Sequence, residues 1–278
     1  MKRCSALLVA ASMLLFGAAS TGRARAAMPE GPVERFRFHA GARLLAPAGV
    51  GADGSVCVGT ADGYIHLLTP DGDYRWSYSV HGAVTHRPVL AGQLWFIATS
   101  AEKIYALTTE GTLYWVFRPP SPPVSELAQD KSGVAYFVAA DHFFYGVSAH
   151  GGVALRAPFG ELKAGPVSAA DGSVWAENSA GNLIRVAGQD VRRSAPRAPL
   201  EFDFGLPDLL RDPDAHEWHT RDDGVLEYRA ASQAAPIAIE LTSAPLFAPV
   251  WSSATRTMLV SARDGLVVAF AASRAGEP

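Results

Sequence analysis

A period of about forty residues runs through this chain, and a repeat of that length restricts it to folds that stack one small unit against the next. The unit is strand–turn–strand. It reads SVCVGTADGYIHLLT at 55–69, LWFIATSAEKIYALT at 94–108 and VAYFVAADHFFYGVS at 134–148. It continues as SVWAENSAGNLIRVA at 173–187, HEWHTRDDGVLEYRA at 216–230 and MLVSARDGLVVAFAA at 258–272. Apolar or alternating runs flank tight turns such as Asp62-Gly63, Asp223-Gly224 and Asp264-Gly265, where glycine and aspartate supply the positive φ values of a short hairpin. Pro47, Pro88, Pro123, Pro166, Pro207 and Pro249 keep the same phase. Proline tolerates the start of a strand and not its middle, so each should mark the beginning of an innermost strand. A third marker is the turn after the paired strands, at Pro70-Asp71-Gly72, Glu110-Gly111 and His150-Gly151-Gly152. DYRWSY and TLYWVF follow the first two, with Trp76 and Trp115 at matching places. Four short strands per unit, with no helical periodicity, predict an all-β fold: a β-propeller and not an α-solenoid.

The two ends of the repeat complement each other. The sixth unit stops near Ala272 without a fourth strand, while VERFRFHAGARLLAP at 33–47 matches DYRWSYSVHGAVTHRPV, with Phe36 where Trp76 stands. The N-terminal strand is therefore expected to complete the last blade and hide an edge that would otherwise invite aggregation. Blades then run over about 33–272, six of four strands within a single domain at 27–278. A seventh blade would have to lie within Asp190–Leu210, the one irregular stretch.

Residues 1–26 are expected to be a cleaved signal peptide. Met1-Lys2-Arg3 is a short basic opening, Ala6–Ala19 an apolar run, and Ala24-Arg25-Ala26 a small-x-small pattern that places the cut near Ala26. The apolar run is too short to span a bilayer comfortably. Cys4 precedes it, whereas a lipid-anchoring cysteine would follow. The mature chain is then periplasmic or secreted, with no transmembrane segment. Removal of the segment's four basic residues turns the formal net charge of −3 into −7. That balance argues against nucleic acid or an anionic membrane as partner. Cys57 becomes the one remaining cysteine, in an alternating strand pattern, and is expected to be a buried inert thiol.

The stretch VCVGTADGYIHLLTPDGDYRW resembles the PQQ-like (WD40-like) repeat of quinoprotein dehydrogenases and of the outer-membrane-protein assembly propeller. Gly59, Asp62, Gly63, Leu67, Gly72 and Trp76 carry the match in the first unit, and Tyr105, Ala106, Leu107, Gly111 and Trp115 in the second. Later units match in part; Leu155 stands where a tryptophan would. The resemblance implies a fold and not a chemistry. Its dehydrogenase members have eight blades and many carry a vicinal cysteine pair beside the quinone, so no cofactor is expected here, PQQ included. In this family the outer-strand aromatic docks on the neighbouring blade, which makes Phe36, Trp76 and Trp115 structural. Trp95, Trp175 and Trp218 fall on second strands and should pack between blades. Trp251 lies near the start of an innermost strand, where the alternative to packing is a place on the central channel.

No constellation with catalytic spacing stands out. His216-Glu217-Trp218-His219 superficially suggests metal ligands, but strand residues three apart point to opposite faces. Asp212-Pro213-Asp214 and Arg221-Asp222-Asp223 read as solvated acidic turns. There is no G-x-S-x-G elbow and no glycine-rich phosphate loop. Asp62, Glu102, Asp141, Asp223 and Asp264 recur at what reads as one turn position, which favours a turn-forming role over a glycosidase pair. The positions with functional potential are the loops that join one blade's outer strand to the next blade's inner strand and surround the channel mouth. They carry His39, Arg43, His81, His86, Arg87, Arg118 with the run Pro119-Pro120-Ser121-Pro122-Pro123, Glu161 and Lys163. Cations gathered there, in an acidic protein, would receive an acidic peptide or small anion. The expected role is a non-catalytic interaction or scaffolding module for an envelope protein or peptide. The alternative is a binder of a quinone, sugar or peptide, or a propeller enzyme such as a glycosidase.

Overall fold

The computed structural model describes residues 31–169, 171–188, 190–194, 217–221, 223, 225–229, 235–241 and 247–271. These contain no helix, and their strands form six antiparallel sheets. The chain enters on β1 (Val33–His39). It then lays down β2 (Gly49–Val50), β3 (Val56–Gly59), β4 (Tyr64–Leu68) and β5 (Tyr74–Ser79) in consecutive order as the first sheet. The second sheet is β6 (Val89–Ala91), β7 (Leu94–Thr99), β8 (Lys103–Thr108) and β9 (Leu113–Phe117). The third is β10 (Ala128–Gln129), β11 (Ala135–Val138), β12 (Phe143–Val147) and β13 (Val153–Pro158). The fourth is β14 (Leu162–Ser168), β15 (Val174–Asn178), β16 (Leu183–Ala187) and β17 (Asp190–Ser194). Three strands of the fifth are described: β18 (Glu217–Thr220), β19 (Leu226–Arg229) and β20 (Ile237–Ile239). The last contains β21 (Val250–Ser252), β22 (Thr257–Ser261) and β23 (Leu266–Ala271). Of Asp190–Leu210, where a seventh blade would have to lie, Asp190–Ser194 is the outer strand β17; the remainder falls outside the described residues, as do Pro207 and His216.

Strand β1 pairs antiparallel with β23, from Val33 opposite Ala271 to His39 opposite Leu266, so the last sheet is finished by the N-terminal strand. The edge of β23 is thereby covered. The inner strands stand side by side: β21 against β2, β2 against β6, β6 against β10, and β10 against β14. Sheets arranged radially around an axis are what a propeller requires.

The core lies between sheets. Cys57, Ile65 and Leu67 of the first sheet pack on Trp95, Ile97, Tyr105 and Leu107 of the second, while Phe96, Ala98 and Ile104 turn the other way, onto Phe137, Tyr145 and Val147 of the third. Tyr136, Val138 and Phe144 continue onto Val174, Ala176 and Ile184 of the fourth. Val56 and Val58 meet Leu259, Val267 and Ala269 of the last sheet, whose Val260, Val268 and Phe270 meet Leu226 of the fifth. Middle strands are buried on both faces, which is why they read as near-continuous apolar runs and the outer strands do not. Burial pushes the Cys57 thiol well above its ordinary value, so it stays protonated.

Two sequence expectations are corrected in detail. Pro47, Pro88 and Pro249 precede β2, β6 and β21 closely, but Pro166 lies inside β14. The register breaks there between Ala164 and Val167, so the proline occupies an irregularity that needs no N–H from it. Pro123 lies five residues before β10 and bridges Ala139 instead. The second correction concerns the turns. Glu102 does not share the position of Asp62; with φ 56 it stands where Gly63 has φ 85, and His142, at φ 64, does the same in the third sheet. The backbone bonds agree, for Gly63, Glu102, His142 and Gly265 each donate N–H to the residue three before. Asp141, Asp223 and Asp264 each accept the N–H two residues on, which ties them to turn formation.

Candidate functional site

The loops from outer to inner strands are fastened to the central turns of the sheets they enter or adjoin. Ala61 donates N–H to the Arg43 carbonyl at 2.8 Å, and Ser100 to that of Ala83 at 2.8 Å. Ala140 donates to Pro122 at 2.9 Å, and Ser179 to Glu161 at 2.8 Å. The proline run after Arg118 is thus pinned at its second half to the Ala139–Ala140 turn. His81 donates its N–H to the Tyr105 hydroxyl at 3.0 Å. This anchoring fixes the loop backbones and leaves several side chains outward: Arg43, His81 and Arg118 are exposed.

The six side chains do not form one cluster. Arg43, His81 and Arg118 make no ion pair among the described residues. Lys163, also exposed, places its ammonium 2.7 Å from Glu177, which neutralises it locally. His86 is half-buried with Nδ1 2.9 Å from the Thr85 hydroxyl, and burial lowers its pKa against the opposing pull of Glu126. Arg87 alone of the six lines the central cavity. Its backbone N–H donates to the Glu126 carboxylate at 2.9 Å. Desolvation lowers the guanidinium pKa, and Glu126 opposes that shift in part.

The cavity has a volume of about 360 Å³ and is walled by the inner strands and the residues beside them. Val50, Pro88, Leu90, Leu127, Val250 and Trp251 provide apolar surface. Trp251 is 2% exposed and lines the cavity, the alternative to packing that its inner-strand position offered. The polar contributions are Arg87, Gln129, Ser168 and Ser253. Ser168 joins two inner strands: its hydroxyl accepts the Gln129 N–H at 3.0 Å and donates to the Gln129 carbonyl at 2.7 Å. The side-chain oxygen of Gln129 is buried with no hydrogen-bond partner among the described residues.

Gln129 and Glu126 escaped the sequence reading. A signal existed for the first: Val50 and Leu90 hold the inner-strand position that Gln129 holds, paired respectively with Val56, Trp95 and Ala135. A polar residue in place of an aliphatic one on an innermost strand was that signal. Glu126 carried no signal, because its role depends on the Arg87 loop of the preceding sheet.

On the outer rim, Phe36, Trp76 and Trp115 occupy the outermost strands β1, β5 and β9. Trp76 donates its indole N–H to the Thr109 carbonyl of the second sheet at 2.9 Å, and Trp115 to the Ala149 carbonyl of the third at 2.8 Å. Each ring lies over a glycine of the neighbouring sheet's outer turn. A Cβ on Gly72 would come 2.2 Å from Phe36, on Gly111 2.6 Å from Trp76, and on Gly151 3.0 Å from Trp115. Those glycines have φ values of 89, 84 and 78, so both the turn and the ring above it require glycine.

Comparison with known proteins agrees with this architecture. The WD40 domain of Neurospora crassa Pan2 shares the fold at a TM-score of 0.61 with 8% identity, over 88% of this chain and 96% of that one. The crystal structure of BamB from Moraxella catarrhalis aligns over 85% of this chain and 88% of that one at 13% identity and a TM-score of 0.38. No curated protein matches the sequence. Residues 19–197, more than half of the chain, match the PQQ_2 family, whose description is outer membrane protein assembly factor BamB. With sheets set radially, an aromatic-over-glycine contact repeated along the rim and a family match across that length, the chain belongs to the BamB-like family of PQQ-like propellers.

Proposed function

We propose that this protein is a non-catalytic interaction or scaffolding propeller of the cell envelope. In this reading residues 1–26 export it, the mature chain works in the periplasm or outside the cell, and it needs no cofactor. Its working surface is the ring of loops between β1 and β2, β5 and β6, and β9 and β10. The observation that carries the reading is the set Arg43, His81 and Arg118. They are exposed on these successive loops, with backbones held by the turns, and have no ion-pair partner among the described residues. Anchored loops bearing the unpaired guanidinium groups of Arg43 and Arg118 favour an acidic segment of a partner protein, because part of the loop-ordering cost of binding is already met. Membership of a family described by outer-membrane assembly supports an envelope partner.

The test is in-cell crosslinking of the tagged full-length protein, followed by mass spectrometry. The comparison variant combines Arg43→Glu, His81→Glu and Arg118→Glu, three exposed positions whose replacement leaves the core intact. A reproducible envelope partner, lost in the variant while its thermal unfolding is unchanged, is the expected result. Absence of any specific partner, or a partner retained by the variant, overturns the assignment of this face. N-terminal sequencing of the exported chain checks the cut near Ala26.

A further inference from the structure

We propose that the central cavity binds an N-acylated α-amino acid carboxylate with an aliphatic side chain, supplied either as a free small molecule or as the C-terminal residue of a peptide. Three features converge on that class. The first is charge. Arg87 lines the cavity half-buried, and among the described residues its guanidinium has neither a hydrogen-bond acceptor nor an ion-pair partner. Glu126 offsets part of its desolvation but makes no ion pair with it, so the guanidinium N–H donors stay unused, and a carboxylate is their natural bidentate complement. The ligand is a monoanion and not a phosphate dianion, because Arg87 is the only cation of the described lining and Glu126 sits beside it.

The second feature is the Gln129 amide. It lines the same cavity, and its oxygen is buried with no partner among the described residues. The oxygen is turned away from the open space, so the part of the side chain that faces the cavity is not this atom. A primary amide presents an acceptor or a donor by turning over, so it is complementary to the N–H or C=O of an acylated amino group. Ser168 holds the Gln129 backbone from both sides, which fixes the place from which the amide reaches.

The third feature is the wall. Val50, Leu90, Leu127, Val250 and the Trp251 face make an apolar surface around about 360 Å³, at the small end of the range for ligand sites. That space holds one residue-sized body. A carboxylate to Arg87, an amide group to Gln129 and an aliphatic side chain against the wall use the charged, amide and apolar parts of this lining together.

The site differs from the exposed loop ring and is measurable without any partner, so loss of one does not imply loss of the other. The test is calorimetric titration of the purified protein with N-acetyl-leucine and, separately, N-acetyl-leucinamide, which lacks the charge. A further pair is an octapeptide ending in leucine as the free acid and as the amide. The expected result is binding of the acids with at least about tenfold preference over the amides, as a buried ion pair requires. Arg87→Gln should abolish the preference and Arg87→Lys should restore part of it. Gln129→Leu should weaken acids and amides alike. Tighter binding of the peptide acid than of N-acetyl-leucine assigns the site to chain ends, and the reverse assigns it to free acylated amino acids. No binding of either acid, or acids and amides binding equally to the wild-type protein, overturns the proposal; the latter comparison needs no variant to fold.

Discussion

Three seams between sheets are locked at the rim by an aromatic ring over a glycine, and the next seam along the chain is not. Phe36, Trp76 and Trp115 sit opposite Ala269, Leu67 and Ala106 on the strand inside them, and Leu155 sits in the corresponding place, opposite Gly146. Under the three rings lie Gly72, Gly111 and Gly151, each crowded. The fourth sheet's outer turn is shorter, between Ala187 and Asp190, and a Cβ on its Gly188 would meet nothing within 4 Å. A glycine crowded by a ring above it and a glycine in open space at φ 59 are thus found in one chain. The lock is therefore a separable device added to the propeller, and sheet-to-sheet packing in the middle strands holds where it is missing.

The largest effect expected from this contrast is loss of a ring. Trp76→Ala removes a half-buried indole and its bond to the Thr109 carbonyl, and should lower unfolding free energy by about 3 kcal/mol in urea titration. Trp76→Phe keeps most of the cover and should lose about 1 kcal/mol, the share of the hydrogen bond. Leu155→Ala, at the unlocked seam, should fall short of the indole deletion. Equal losses at the two sites would mean that the ring adds nothing beyond ordinary burial.

Glycine replacements separate crowding from backbone strain. Gly111→Ala places a Cβ 2.6 Å from the Trp76 ring at φ 84 and should cost about 2 kcal/mol or more. Gly188→Ala carries strain alone, at about 1 kcal/mol. The difference measured by thermal unfolding is the crowding contribution. If the two variants shift equally, the aromatic cover is not a close contact.

How far the sequence told this story depends on whether a residue acts within its own repeat. Turns, paired strands and the closing strand were legible, since glycine, proline and alternation act locally and recur in phase. The docking tryptophans could be picked out because repeat position and family resemblance agree. Turn register was less legible: Glu102 takes a left-handed position that Gly63 holds elsewhere, and a carboxylate there looks like a slightly displaced Asp62. Arg87 was named as one cation among several, but its place in the cavity depends on how β6 and β10 stand together. That is a contact between repeats, and no pattern inside one repeat encodes it. Gln129 was visible in principle as a polar residue on an innermost strand, although only the channel gives it meaning.

The seam between the last and first sheets adds a pH dependence to the comparison. His66 on β4 lies among Phe38 of β1, Tyr64 and Tyr74, with ring centroids 5.7, 6.3 and 6.4 Å away. Both imidazole nitrogens are buried without a hydrogen-bond partner among the described residues. Desolvation lowers its pKa below the ordinary histidine value near 6.5, with Asp62 opposing. The unfolded chain then binds more protons than the folded one between these two values. Stability from the neutral ring is complete above about pH 6.5 and is lost as pH falls through the folded pKa. Unfolding midpoints between pH 7.5 and 5 should decline in wild type more steeply than in His66→Phe, by less than the Gly111 effect. Parallel declines would show that His66 is not the titrating group.

The smallest expected effect is a gain. Leu155→Trp places a ring at the position of Trp76 and Trp115, facing a shorter outer turn where the space beside Gly188 is open. Burial of part of an indole is worth about 1 kcal/mol at most, because the new side chain also loses rotamer freedom. The thermal midpoint should rise by a few degrees at most, on the order of what that energy gives a domain of this size. A rise that disappears when Gly188→Ala is added would mean that the new ring has settled on the glycine, as Trp76 does on Gly111. A rise that persists places it elsewhere on the sheet. No rise would mean that the seam's geometry, and not its leucine, is what departs from the other three, and the lock is then a property of whole sheets and not of one side chain.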